Sequence, residues 1–185
     1  MRIVSGKLGG RRFGAPEGIR PTQERVREAL FSSLGDRVED ARVLDLFAGS
    51  GAFGLEAWSR GAKEVRFVEK NGRVFQSLNS NLDALIPAEA RPAVKAHRCS
   101  AERFLETWQG AAFDLVLADP PYRKALAQKT LSALSRTPMV AAGGLVVLET
   151  AADDPVRVEA PWRAVMERTY GDARITVIRR TEEIA

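Results

Sequence analysis

The chain has 185 residues, of which 45% are apolar and 28% are charged, and a formal net charge of +4. This length fits one domain with a substantial core, and the composition excludes disordered and fibrous proteins. No apolar run approaches the roughly 20 residues of a membrane span, and the first residues lack the apolar stretch of a secretory signal. A single cysteine and a single histidine argue against a zinc site. We therefore expect a cytoplasmic, metal-free protein.

The positive charge is concentrated at the N-terminus. Residues 1–28 contain seven basic and three acidic side chains, which accounts for the whole surplus of +4. Several glycines in the first twenty residues predict a short strand and turn, or a hairpin, rather than a helix. A basic segment of this kind indicates an anionic partner, and a solvated terminal arm is the alternative.

A helix is predicted next, with Thr22 as its N-cap and Gly35 at its end. Strands and helices then alternate, which predicts a parallel α/β sheet. Two β-like runs on either side of Gly171-Asp172 predict an antiparallel hairpin at one edge of that sheet. The predicted strands are 42–46, 65–69, 93–98, 113–118, 144–149, 164–170 and 174–180, and helices are predicted after residue 54 and at 73–85, 101–108 and 124–134.

A glycine loop follows the first predicted strand. The sequence Gly49-Ser50-Gly51-Ala52-Phe53-Gly54 matches the GxGxxG pattern, whose glycines allow a sharp turn and a close approach to a ligand. Glu69 ends the next strand, 20 residues after Gly49, where its carboxylate can hold ribose hydroxyls. This spacing fits NAD, FAD or S-adenosylmethionine. Asp45, within the first strand, favours S-adenosylmethionine because its carboxylate can reach an α-amino group; a hydrogen bond that braces the loop is the alternative.

The sequence Asp119-Pro120-Pro121-Tyr122 follows the fourth predicted strand. In an open α/β sheet the strand order reverses between the first and fourth strands, so this loop and the glycine loop border one crevice. The prolines lack N–H donors, so the Asp119 carboxylate and the Pro120 carbonyl form a pair of acceptors that suits an exocyclic amino group. Tyr122 offers a flat face on which a base can stack.

Together these motifs resemble those of S-adenosylmethionine-dependent amino-methyltransferases with the Rossmann-like class I fold. The segments that carry the resemblance are DLFAGSGAFGLEAWSRGA, VRFVEKN and FDLVLADPPY. The opening MRIVSGKLGGRRF and the later RPTQERVREALFSSL further resemble the bacterial 16S ribosomal RNA guanine-N2 methyltransferase family (RsmD-type). The resemblance spans nearly the whole chain. It implies a seven-stranded sheet, with a basic N-terminal extension at residues 1–35 and a methyltransferase domain at 36–185.

The resemblance also implies roles for individual residues. Asp119, Pro120, Pro121 and Tyr122 form the catalytic loop, and Arg20, Pro21 and Thr22 close the pocket. The implied cofactor-binding residues are Thr22, Asp45, Phe47, Gly49, Gly51, Glu69, Lys70, Asn71, Ser100, Ala101 and Asp119. Because the N-terminal segment is basic, we expect RNA phosphates to be contacted by Arg2, Lys7, Arg11, Arg12, Arg20 and Arg25.

The implied reaction is methyl transfer from S-adenosylmethionine to the exocyclic N2 of a guanine in small-subunit (16S) ribosomal RNA. We expect a monomer that acts on the RNA or on the small ribosomal subunit. N6-adenine methylation of DNA or RNA is the alternative, because the same acceptor loop serves any exocyclic amine, and protein glutamine methylation shares that logic. A nicotinamide oxidoreductase leaves the Asp119 loop without a role, and a non-catalytic RNA-binding module leaves the glycine loop without one.

Overall fold

Seven strands form one sheet in the computed structural model, which describes residues 1–14, 21–121 and 125–181. In chain order the strands are β1 (Arg42–Leu46), β2 (Glu64–Val68), β3 (Val94–His97), β4 (Phe113–Ala118), β5 (Val140–Ala151), β6 (Trp162–Tyr170) and β7 (Ala173–Arg180). Their spatial order is β3-β2-β1-β4-β5-β7-β6. Strands β1 to β5 pair in parallel, whereas β7 pairs antiparallel with both β5 and β6. The predicted sheet and its antiparallel hairpin are confirmed.

Helices cover both faces of the sheet. The α-helices are α1 (Pro21–Leu34), α2 (Ala52–Ser59), α3 (Gly72–Leu85), α4 (Ala101–Thr107) and α5 (Leu126–Ser135), and short 3-10 helices lie at Gly35–Val38 and Ala88–Ala90. Successive side chains of a strand point to opposite faces. Val43 accordingly packs in one apolar cluster with α1, α2 and α3, and Leu44 packs in a second with α4 and α5.

The N-terminal segment, residues 1–14, folds back on itself as predicted. The Ile3 N–H donates to the Arg11 carbonyl (2.9 Å), and Arg2 and Arg12 form an antiparallel bridge. Ile3, Leu8 and Phe13 are buried in the same apolar cluster as Val43. The segment is therefore docked on the sheet-and-helix body. The division of the chain at residue 35 stays a prediction.

The structure contradicts the predicted N-cap of α1 and agrees with its predicted end. The helix begins at Pro21, a residue favoured in a first turn, so Thr22 is its second residue and the prediction of Thr22 as N-cap is wrong. Gly35 follows the helix with a φ of +54°, as its predicted terminating role requires. Arg20, Tyr122 and the side chain of Thr22 lie outside the described residues.

Candidate active site

The glycine loop and the Asp119 loop leave the sheet side by side. Strands β1 and β4 are parallel neighbours, with Leu46 opposite Ala118 at their carboxyl ends. The strand order reverses at this point, because β1 is followed along the chain by β2 on one side and paired with β4 on the other. The predicted crevice between the two loops is therefore present.

The glycine loop is tightly packed against its supports. Gly51 has a φ of +88° and precedes α2, and a Cβ there would lie 2.7 Å from the Leu78 Cδ1. A Cβ on Gly54 would lie 3.0 Å from an Asp45 oxygen and would overlap the Phe67 ring. Side chains at these positions would displace the loop, which explains the glycines on physical grounds.

Asp45 is buried beneath the glycine loop. Its Oδ2 accepts the Gly54 N–H at 2.8 Å, so the carboxylate braces the start of α2. Burial raises the pKa of Asp45 to about 7; the hydrogen bond from Gly54 opposes this rise, and the negative charge of Glu69 adds to it. Its predicted contact with a cofactor amine stays a prediction.

Glu69 links the ends of β1 and β2. Its Oε2 accepts the Gly49 N–H at 3.1 Å and its Oε1 accepts the Asn71 N–H at 2.7 Å. The 20-residue spacing therefore corresponds to a direct contact between this carboxylate and the glycine loop. Each carboxylate oxygen can accept two hydrogen bonds and accepts one here, so a lone pair on each is left for ligand hydroxyls.

Two predicted cofactor residues act as helix caps in this structure. The Asn71 Oδ1 accepts the N–H groups of Arg73 (3.0 Å) and Val74 (3.2 Å) at the start of α3. The Ser100 Oγ accepts the Arg103 N–H at 3.2 Å at the start of α4. Their predicted contacts with adenosine stay predictions.

Asp119 is a half-buried carboxyl group among other acids. Its pKa lies well above the usual value because of burial and, secondarily, because of repulsion by Glu149 and Asp45. Glu149, at the carboxyl end of β5, is 7% exposed. Sequence reasoning missed Glu149, although the predicted strand GLVVLE ends on it.

A cavity of about 140 Å³ opens at the carboxyl ends of strands β1 to β4. It contains six of the predicted site residues, which are Phe47, Glu69, Lys70, Ala101, Asp119 and Pro121. Four further lining residues, Val68, Cys99, Glu102 and Leu126, were not assigned to the site from sequence. Cys99 and Glu102 directly flank the predicted Ser100 and Ala101. Their adjacency to these residues was the sequence signal that could have identified them.

The charged side chains that line the cavity are the three carboxyl groups of Glu69, Glu102 and Asp119 and the amine of Lys70. A hydrogen bond from its own backbone N–H and another from the Ser100 hydroxyl lower the pKa of Glu102, which keeps that carboxylate ionised. Burial raises the pKa of the Cys99 thiol, which keeps it a neutral lining group. Within the described ranges no group of three or more histidine, cysteine and acidic residues is placed to hold a metal ion.

The predicted RNA-contacting residues have different surroundings. Arg11, Arg12 and Arg25 are exposed. The Arg2 Nε lies 3.3 Å from the Glu24 carboxylate, and the Lys7 Nζ lies 3.6 Å from the centre of the Trp58 ring. Arg27, which contributes to the N-terminal charge surplus, is only 2% exposed. The surface charge of this region is therefore carried by fewer side chains than the count over residues 1–28 suggests.

No helix in the described part of the chain is long and apolar enough to cross a membrane.

Comparison with known proteins places these features in a family. The family model described as Conserved hypothetical protein 95 matches residues 1–179. Ribosomal RNA small subunit methyltransferase D of Escherichia coli K12 is 35% identical over 183 residues, which are 97% of this chain and 90% of that protein. The Haemophilus influenzae protein of the same name is 34% identical over 173 residues, 92% of this chain and 89% of that protein. The solved structure of yhhF from Escherichia coli matches 98% of both chains, with a TM-score of 0.87 and 34% identity.

Proposed function

The chain belongs to the family described as conserved hypothetical protein 95, the RsmD-type methyltransferases, and from this membership we propose its reaction. It transfers a methyl group from S-adenosylmethionine to the exocyclic N2 of a guanine in small-subunit ribosomal RNA. The observation that supports this most directly is the cavity that brings Asp119 and Pro121 of the acceptor loop together with Glu69. A cofactor held there lies beside an acceptor loop.

The residues around the cavity fit S-adenosylmethionine. This cofactor carries a sulfonium, an ammonium group and one carboxylate, and the carboxylates of Asp45 and Asp119 would compensate its two positive groups. Ionised Asp45 and Asp119 are costly in the buried site until a cation is present, which is why their pKa values are raised. Glu69 would hold the ribose hydroxyls, and Cys99 and Ala101 would line the adenine side. The cofactor supplies an electrophilic methyl group.

Asp119 and the Pro120 carbonyl would prepare the acceptor base. The lone pair of a guanine N2 is delocalised into the ring, so the free amine is a poor nucleophile. Two acceptors on its hydrogens would localise that lone pair and orient it, and Asp119 would take up the proton that is lost. Positioning and proton acceptance then supply the acceleration.

The RNA would approach over the N-terminal segment and the start of α1. Arg11, Arg12 and Arg25 are exposed there and present guanidinium groups that suit phosphate oxygens. A target base must leave its stack to enter a cavity of this kind, which favours a loop or an unpaired stretch of RNA.

Cys99 provides a direct test of the cofactor site, because it is the only cysteine and lines the cavity. We expect S-adenosylhomocysteine to slow its alkylation by iodoacetamide, and NADH to leave the rate unchanged. Protection by NADH instead would support an oxidoreductase.

Transfer itself is tested with labelled S-adenosylmethionine and RNA that lacks its native methyl groups. We expect label in small-subunit ribosomal RNA, supplied free or in assembled subunits, and none in large-subunit RNA. Label in DNA or in protein, with none in ribosomal RNA, would overturn the proposal.

A further inference from the structure

Asn81 connects the N-terminal segment to the glycine loop. It lies in α3 and is only 6% exposed. Its Nδ2 donates to the Gly14 carbonyl at 2.8 Å and to the Ser50 carbonyl at 3.0 Å, and its Oδ1 accepts the Gly14 N–H at 2.8 Å. One side chain thereby joins the last described residue of the N-terminal segment to the centre of the glycine loop.

The Asn81 amide is fully used by these two partners. Both of its N–H hydrogens and its carbonyl oxygen are hydrogen-bonded. Asparagine is unfavourable within a helix, so α3 gains nothing locally from this residue. Its value lies in satisfying three backbone groups from two separate segments, and groups of this kind are costly to leave unpaired when buried.

Neighbouring contacts support the same connection. Leu78, one turn before Asn81 on α3, packs under Gly51 of the glycine loop. At the other end of the segment, the Met1 Sδ lies 3.5 Å from the Ser50 hydroxyl oxygen, and the Phe13 N–H donates to the Met1 carbonyl at 3.0 Å. The N-terminal segment therefore contacts the glycine loop at two places. A displacement of the segment would displace the loop as well.

We propose that Asn81 is a positioning residue that couples RNA binding on the N-terminal segment to cofactor binding on the glycine loop. The inference rests on the proposed function, which places phosphates near Arg11 and Arg12 and the cofactor at the loop. RNA that fixes the segment also fixes Ser50 through the Asn81 amide, so each ligand strengthens binding of the other. Such coupling is reciprocal by thermodynamic necessity.

The substitution Asn81→Asp tests the bridge. Aspartate keeps the size of the side chain but loses both donors, and it places a carboxylate against two carbonyl oxygens. Asn79→Asp is the matched control, because it makes the same change two residues earlier in α3, rotated by about 200° around the helix from Asn81.

The measured quantity is the ratio of S-adenosylhomocysteine dissociation constants without and with saturating small-subunit ribosomal RNA, determined by calorimetry. We expect a ratio of at least about fivefold for the native chain and the Asn79→Asp variant, and a ratio near one for Asn81→Asp. A purely structural role would lower the melting temperature of Asn81→Asp and leave the ratio unchanged. That result would overturn the proposal.

A second variant approaches the bridge from the other side. In Gly14→Ala the new Cβ lies 3.2 Å from the Asn81 Oδ1, which disturbs the contact without removing the amide. We expect a ratio between those of the native chain and Asn81→Asp, and the native ratio here would contradict the coupling. If the native chain methylates ribosomal RNA but its ratio of dissociation constants is one, the proposed coupling alone is overturned. Failure to bind or methylate RNA overturns the proposed function as well.

Discussion

Arg27 of α1 and Glu56 of α2 form an ion pair in the protein interior, with the Arg27 Nε 3.6 Å from the Glu56 Oε2. The same carboxylate accepts the backbone N–H groups of Val4 (2.8 Å) and Ser5 (3.1 Å) and lies 2.8 Å from the Arg60 Nε. Glu56 is fully buried. Through these contacts its single side chain joins the N-terminal segment, α1 and α2. The proposed RNA-binding surface is thereby fixed to the helix that follows the glycine loop.

Glu56→Gln should destabilise the protein strongly. The amide has one oxygen, so it can accept only one of the Val4 and Ser5 N–H groups. It also leaves Arg27 buried without its nearest counter-charge, which costs about 3–5 kcal/mol. Urea unfolding measures this change. Asp83→Asn, which breaks the exposed pair between Asp83 and Arg91, is the control and should cost less than about 1 kcal/mol. Equal losses in the two variants would contradict the role of Glu56.

Asp119→Asn should reduce methyl transfer while the cofactor still binds. Loss of the proton acceptor is expected to lower kcat by at least about 100-fold, whereas the dissociation constant for S-adenosylhomocysteine should change little. Asp114→Asn is a matched control at the opposite end of β4, where Asp114 accepts the Arg42 N–H at 2.8 Å. Turnover by Asp119→Asn at the native rate would remove Asp119 from the mechanism.

The raised pKa of Asp45 predicts a pH dependence of stability. The folded chain keeps Asp45 protonated up to about pH 7, whereas the unfolded chain ionises it near its usual pKa of 3.8. The folded state therefore binds more protons in this window, and its stability falls as the pH rises through it. We expect Asp45→Asn, which stays neutral, to flatten this fall by about 3 kcal/mol between about pH 5 and about pH 8. Parallel stability profiles, measured by urea unfolding without ligand, would contradict the assignment.

Arg11 and Arg12 should contribute to RNA binding through phosphate contacts. Changing each to glutamine is expected to weaken binding and to lower the slope of log affinity against log salt by about 1 per residue. Arg37→Gln is the control, because Arg37 is exposed and lies outside the N-terminal segment, in the short helix at the amino end of β1. An unchanged slope in the double variant would place the RNA on another surface.

The sequence predicted the strands nearest the site well, because β1 and β4 are largely apolar and are followed by glycine or proline residues typical of turns. Strand β5 begins at Val140, four residues before the predicted start at Gly144, and Gly143 and Gly144 lie within it. In the structure these glycines lie where the pairing with β4 shifts register between Phe113 and Leu115. A register irregularity of this kind depends on the neighbouring strand.

The sequence predicted the site residues that belong to a recognisable motif. It did not predict the residues that only tertiary contacts bring to the site. Glu69 was identified by its spacing from Gly49, and the structure shows that the two residues are hydrogen-bonded. Asn81 and Glu149 were not identified, since a polar residue within a helix or strand gives no sign that it is buried against a distant loop. Counting charges likewise could not distinguish Arg27, which is buried, from Arg11, which is exposed.

The central claim is most directly tested by identifying the nucleoside that the protein modifies. Small-subunit ribosomal RNA without its native methyl groups is incubated with the protein and labelled S-adenosylmethionine, digested to nucleosides and separated by liquid chromatography with mass spectrometry. The account predicts N2-methylguanosine as the labelled product, and none with Asp119→Asn. Label in N6-methyladenosine would contradict the assignment of guanine N2 as the acceptor.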